Sequence, residues 1–102
     1  MSLQQSIVAY VDADLEDLVP GFLAHCKDAI PGIENALARG DIRAVRALGH
    51  RLKGTGGGYG FDRITEIGAA IEELPESSSA AEVRPLLVEL AHFVDTVEIV
   101  YV

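Results

Sequence analysis

The sequence predicts an all-α protein, a helical bundle with short connections. Three observations predict it. Apolar residues recur with the helical period through most of the 102-residue chain, helix-stopping and helix-starting residues fall between the periodic segments, and no segment makes a convincing sheet. The length suits one domain with a single modest core.

The first stripe runs through Leu15, Leu18, Val19, Phe22, Leu23, Cys26, Ile30, Ile33, Ala36 and Leu37. Proline suits a first helical turn, so Pro20 separates a short leading helix from a longer one. Pro31 predicts a kink or a local break. Gly40 is a good stop and Asp41 a good N-cap for the next helix, which explains Arg39-Gly40-Asp41 better than an adhesion tripeptide does. That second helix enters a glycine-rich stretch. A third follows, with Asp62 as its cap candidate, Ile64, Ile67, Ile71 and Leu74 as its stripe and Pro75 as its end. Glu76 to Ser79 is a loop, and Ser79 with Glu82 matches a capping box. The last stripe is Val83, Leu86, Leu87, Leu90, Phe93, Val94 and Val97, with Pro85 blurring where that helix starts. Ile7 to Val11 and Val97 to Val102 are rich in β-branched residues, and the sequence leaves both open between helix and strand.

Charge narrows the function. The chain carries −8, which argues against a nucleic-acid or anionic-membrane partner. Between Arg43 and Phe61, however, lie Arg43, Arg46, Arg51 and Lys53 with no Asp or Glu. With the whole chain at −8, that stretch at +4 leaves −12 to the rest. No apolar run approaches the roughly 18 residues of a membrane span, and the N-terminus lacks the pattern of a signal peptide. The single cysteine, Cys26, excludes an internal disulfide and fits a reducing compartment, so a cytoplasmic location is expected.

Five of the ten glycines lie between Gly54 and Gly60, just after His50 and Lys53. A phosphate-binding P-loop needs its lysine after the last glycine, and G-x-G-x-x-G fails at its sixth position from either Gly54 or Gly56. Extending the helix from Asp41 through the glycines at about 100° per residue gives a better account. With Ile42 at zero, Val45, Leu48, Leu52 and Tyr59 fall between about 240° and 300°, flanked by Gly49 and Gly56. That is the core face, and Tyr59 places it beyond Gly54. His50 falls near 80° on the same wheel of about 100° steps, almost opposite, among Arg43, Arg46, Lys53, Gly54 and Gly57. Each helical glycine costs about 0.8–1.0 kcal/mol relative to alanine. Packing explains Gly56, where a neighbouring helix can approach. It does not explain Gly54 and Gly57, whose missing side chains leave His50 standing clear for another molecule. Gly60 serves as the stop.

His50-Arg51-Leu52-Lys53-Gly54, followed by Gly58-Tyr59-Gly60-Phe61, resembles the histidine-containing phosphotransfer (HPt) domain of two-component phosphorelays. The family pattern is H-x-[LM]-K-G, then small residues, then an apolar residue and glycine opening the next helix. The specific portion runs from about Asp41 to Leu74, and the likeness covers Asp14 to about Glu98. The resemblance implies an antiparallel four-helix bundle with a short leading N-terminal helix, a single HPt-like domain over residues 1–102 with its bundle at about 14–98, standing alone or within a larger sensor protein. It implies that His50 is the phospho-acceptor, Lys53 its electrostatic assistant and Gly54 the access-giving glycine. Arg43, Arg46 and Gly57 are receiver-docking candidates from the helical wheel alone.

The chemistry suits the residue types. An ordinary imidazole, with a pKa of about 6.5, is largely neutral and nucleophilic near pH 7. It can attack the aspartyl phosphate of a receiver domain and yield the phosphoryl group to a second receiver. Lys53 and Arg46 can offset charge on the transferring group. The resemblance implies partners that are receiver domains, with a hybrid sensor kinase among the candidates, and Mg²⁺ held only in the receiver. No cofactor of this chain's own is expected, nor autophosphorylation from ATP.

Other readings are weaker. His25, Cys26 and His92 show no metal-ligand spacing, and Cys26 lies on the apolar stripe, so no metal site is expected. Asp12, Asp14, Glu16 and Asp17 lack calcium-loop spacing and suit a solvated helix start. A general-base enzyme would want an orienting carboxylate, whereas the helix face around His50 offers only basic residues and glycine. The alternative that stays open is a bundle that docks receivers without exchanging phosphate.

Overall fold

The apolar periods close into four helices: α1 (Val19–Ala38), α2 (Ile42–Tyr59), α3 (Asp62–Glu72) and α4 (Ala80–Thr96). The structure, a computed structural model, describes residues 7–102. The expectation about a signal peptide falls partly on residues 1–6, outside that range.

Two parts of the predicted fold class need correction. The chain is mostly helical but not all-α, because β1 (Val8–Val11) and β2 (Glu98–Tyr101) pair in parallel, with Val8 opposite Glu98 and Tyr10 opposite Val100. A parallel pair needs a long crossover, and here all four helices supply it. Each of the two segments, taken alone, gives no sign of a partner some 90 positions away. What precedes α1 is a single 3₁₀ turn, Ala13–Leu15, in which the Asp12 carboxylate accepts from the Asp14 amide at 2.9 Å. It takes the place of the expected leading helix, and Pro20 lies in the first turn of α1.

The helix punctuation is otherwise close to expectation. Asp41 caps α2, its carboxylate accepting from the Ala44 amide at 3.1 Å, and Gly60 ends it in the left-handed conformation, φ 79°. Helix α2 therefore runs through the glycines to Tyr59. The Ser79–Glu82 capping box opens α4, which continues through Pro85. Pro31 does not break α1. A helix-interior proline costs about 3 kcal/mol, and burial of Cys26, Ile33 and Ala36 on both sides of it holds the helix together. At the start of α3 the N-cap position belongs to Phe61, with Asp62 one residue inside. Phe61 is buried, stacks on Phe22 at 5.4 Å and meets Phe93 edge-on at 6.1 Å, so ring packing sets where this helix begins.

Aromatic and ionic contacts join the other helices. Phe22 of α1 stacks on Tyr59 of α2 with ring centres 4.2 Å apart, and Lys27 of α1 donates to Asp95 of α4 at 2.7 Å. Arg63 of α3 pairs with Glu89 of α4. Helices α2 and α3 pack by backbone. A methyl placed on Gly68 would lie 2.5 Å from the Lys53 nitrogen and 2.8 Å from the Gly49 oxygen. One on Gly49 would strike Ile71 and the Glu72 nitrogen, and one on Gly56 would strike Thr65. Position 49 thus faces 71–72, and 56 faces 64–65, so α3 runs back along α2. The buried line of α2 is Val45, Gly49, Leu52 and Gly56. Gly49 and Gly56, which the wheel puts at the edge of the core face, lie within it because α3 approaches there.

Candidate functional site

His50 stands near the middle of α2 with its side chain 70% exposed. Glu72, the last residue of α3, reaches across to it. The Glu72 carboxylate accepts from His50 Nδ1 through Oε2 and from Lys53 Nζ at 3.1 Å through Oε1. Its backbone carbonyl, one of the orphan acceptors at the end of α3, takes a hydrogen bond from Arg46 Nε at 3.0 Å. A guanidinium at a helix C-terminus also meets the negative end of the helix dipole. Glu72 is thus held at both its main chain and its side chain by three residues of α2. The absence of a Cβ at Gly49 and Gly68 lets α3 come near enough for this.

The electrostatics follow from those contacts. Hydrogen bonds from His50 and then Lys53 hold the Glu72 carboxyl below its ordinary range, against a smaller opposing effect of burial. At neutral pH it is a carboxylate and can only accept. The His50 nitrogen that faces it must therefore carry the proton. In the neutral ring the lone pair then resides on Nε2, the nitrogen without a partner among the described residues. The arrangement fixes one tautomer of a solvent-exposed imidazole and leaves its nucleophilic nitrogen free.

The predicted site residues fare differently. His50, Lys53 and Arg46 come together around Glu72. Arg43 and Arg46 line an open hollow of about 380 Å³ with Ala47, His50, Glu72 and Glu76. Arg43 and Glu76 extend it into a second hollow beside Gly40, Asp41 and Ile42. Gly54 and Gly57 are exposed beyond His50: a methyl on Gly54 would meet nothing within 4 Å, and one on Gly57 only the Thr65 hydroxyl at 3.9 Å. Arg51, the fourth cation of the basic stretch, turns away to line a hollow with His25, Asp28 and Thr55.

The expectation that only basic residues and glycine surround His50 is overturned by Glu72. It lies 22 positions away on another helix, where a wheel drawn for one helix cannot show it. A signal was present: Glu72 lies four residues after Gly68, hence above it on the face of α3 that touches α2. Cys26 is fully buried, and burial pushes its thiol up to about 12, which keeps it protonated and inert near neutral pH. Among the described residues no three His, Cys, Asp or Glu side chains gather as a metal site, and no helix is long and apolar enough to cross a membrane.

The family is settled by sequence comparison. The chain matches the family model described as Hpt domain over residues 6–99, nearly its whole length, and it belongs to that family. Searches of the curated proteins and of the solved structures return no match. Membership makes this a domain of histidine phosphotransfer in two-component systems, and domains of its kind interact with receiver domains.

Proposed function

We propose that this protein is a phosphorelay intermediate, which takes a phosphoryl group from a receiver-domain aspartate onto His50 and passes it to the aspartate of another receiver. The observation that carries this reading is the exposed His50 ring whose Nδ1 is held by Glu72.

In the forward step the Nε2 lone pair attacks phosphorus. The N–P bond forms as the bond from phosphorus to the aspartyl oxygen breaks, and the electron pair leaves with the carboxylate. The imidazole, still protonated at Nδ1, becomes cationic, and the Glu72 carboxylate beside it offsets that charge. In the onward step a second aspartate attacks phosphorus, and Nε2 leaves as neutral imidazole with Nδ1–H in place. No proton has to move in either direction. Phosphoryl transfer asks mainly for alignment and charge stabilisation. Lys53 supports both, because it fixes Glu72 from the far side and its ammonium stands one helical turn from His50. Arg43 and Arg46 offer positive charge to the incoming receiver across the hollow. Gly54 and Gly57 keep its approach to His50 open. Mg²⁺ belongs to the receiver's acidic pocket, a hybrid sensor kinase is one source of phosphate, and the cytoplasm is the setting.

The test is transfer from receivers phosphorylated on aspartate, with Mg²⁺, to the protein and to His50→Gln. Acid-labile, base-stable phosphate on the protein, absent from the variant, is the expected result. Receiver binding without transfer, equal in both proteins, would leave a docking module instead.

A further inference from the structure

We infer that the outer face of the strand pair is a second docking surface, which takes a cationic amphipathic helix of a partner. Alternation along the strands sorts their side chains into two sets. Ala9, Val11, Ile99 and Tyr101 pack on the core. Val8, Tyr10, Val100 and Val102 point the other way and are exposed, Tyr10 by 66% and Val102 by 71%. The register places Tyr10 beside Val100 on that outer face. Parallel sheets are ordinarily covered on both faces, and helices are the usual cover. Among the described residues, this one is covered on one.

Charge selects the occupant. Glu98, opposite Val8, shares the outer face at one end of the apolar strip. The turn with Asp12 and Asp14 closes the other end, where the Ala13 amide donates to the Val102 carbonyl at 2.9 Å. Glu16 and Asp17 follow directly, and no Lys or Arg occurs before Lys27 or after Arg84. An apolar strip bounded by carboxylates fits a helix with an apolar stripe flanked by Lys and Arg. A second copy of the same face would oppose like charges, and an anionic lipid surface would be repelled. The inference stands apart from the phosphotransfer reading: Tyr10 lies beside Gly60, about 15 Å of helix beyond His50 at 1.5 Å per residue.

The probe is a synthetic amphipathic helix of leucine and lysine, with a leucine and glutamate counterpart, titrated into the isotope-labelled full chain. Amide shifts confined to residues 7–13 and 97–102 are expected for the lysine peptide, with no binding of the glutamate peptide. Affinity should fall at least about tenfold in Tyr10→Ser/Val100→Ser and in Glu98→Lys, and stay unchanged in His50→Gln. Thermal melting checks the fold of the variants, and Glu98→Lys, a surface charge change, decides alone if the double variant unfolds. Shifts centred elsewhere, equal binding of both peptides, undiminished binding by the folded variants, or self-association that Tyr10→Ser abolishes would each overturn the inference.

Discussion

Around His50 the chain has removed side chains, whereas at the strand pair it keeps apolar ones in water. On α2, Gly54 and Gly57 give up helix stability to clear space beside a mixed cluster in which Arg43, Arg46 and Lys53 meet Glu72 and Glu76. On the outer strand face Tyr10, Val100 and Val102 stay exposed within an acidic surround. The first surface suits a reacting group that must be approached closely. The second suits contact through buried area. A small domain can thus carry two differently built surfaces, and each makes its own demand on the packing beneath it.

Removing the imidazole should separate the two surfaces most sharply. His50→Gln is expected to abolish phosphate acceptance while leaving thermal stability and the strand face as they were; residual transfer at the wild-type rate would remove His50 from the mechanism. Glu72→Ala comes next, with transfer slowed by between about tenfold and a hundredfold through loss of ring orientation. Nitrogen NMR of the His50 ring should then show the two tautomers mixing, and an unchanged spectrum would leave Glu72 without this role.

The contact also has a pH signature. Glu72 has its folded pKa lowered by His50 and Lys53, so its stabilising contribution is fully present above the ordinary carboxylate range. It disappears as pH falls through the lowered value. A carbon NMR titration of the Glu72 carboxyl should give a midpoint below the ordinary carboxylate range; a midpoint within that range would count against the contact.

Packing effects are smaller. In Gly68→Ala the new methyl meets backbone atoms of Lys53 and Gly49, which cannot rotate away. Overpacking of this kind costs about 1–3 kcal/mol, visible as a lower melting temperature together with weaker transfer, since α3 carries Glu72. Gly54→Ala has the opposite sign. With no neighbour to strike, it should stabilise by about 0.8–1.0 kcal/mol yet slow transfer by crowding the receiver. A variant that is stabilised and just as active would show that the cleared surface at Gly54 serves no approach.

The same contrast separates what was legible in the sequence from what was not. Helix α2 could be followed through its glycines because Tyr59 continues the apolar stripe set by Val45, Leu48 and Leu52. Asp41, Gly60 and the Ser79–Glu82 box mark helix ends by local hydrogen bonding, which neighbouring residues suffice to reveal. His50, Lys53 and Gly54 lie within five positions, so one helix face shows them together. Glu72 and the strand pair depend on contacts between distant parts of the chain. Hydrophobic patterning also undervalues glycine: Gly49, Gly56 and Gly68 are what bring α3 against α2, yet none adds an apolar side chain to a stripe. Phe61 displaced Asp62 from the cap position for a related reason, since its ring is held by Phe22 and Phe93 from two other helices.

The parallel register of β1 and β2 has a mechanical consequence. One strand enters at the end where the other also begins, so a pull that separates Val8 from Tyr101 runs along the strands and loads their hydrogen bonds in shear. The bonds from the Glu98 amide to the Ile7 carbonyl, 2.8 Å, and from the Val102 amide to the Val11 carbonyl, 2.9 Å, must then fail together with those between them. An antiparallel pair pulled from one end would open one bond at a time. Tension applied through the two strands is resisted by this clasp before it reaches the helices that hold His50 and Glu72 in register.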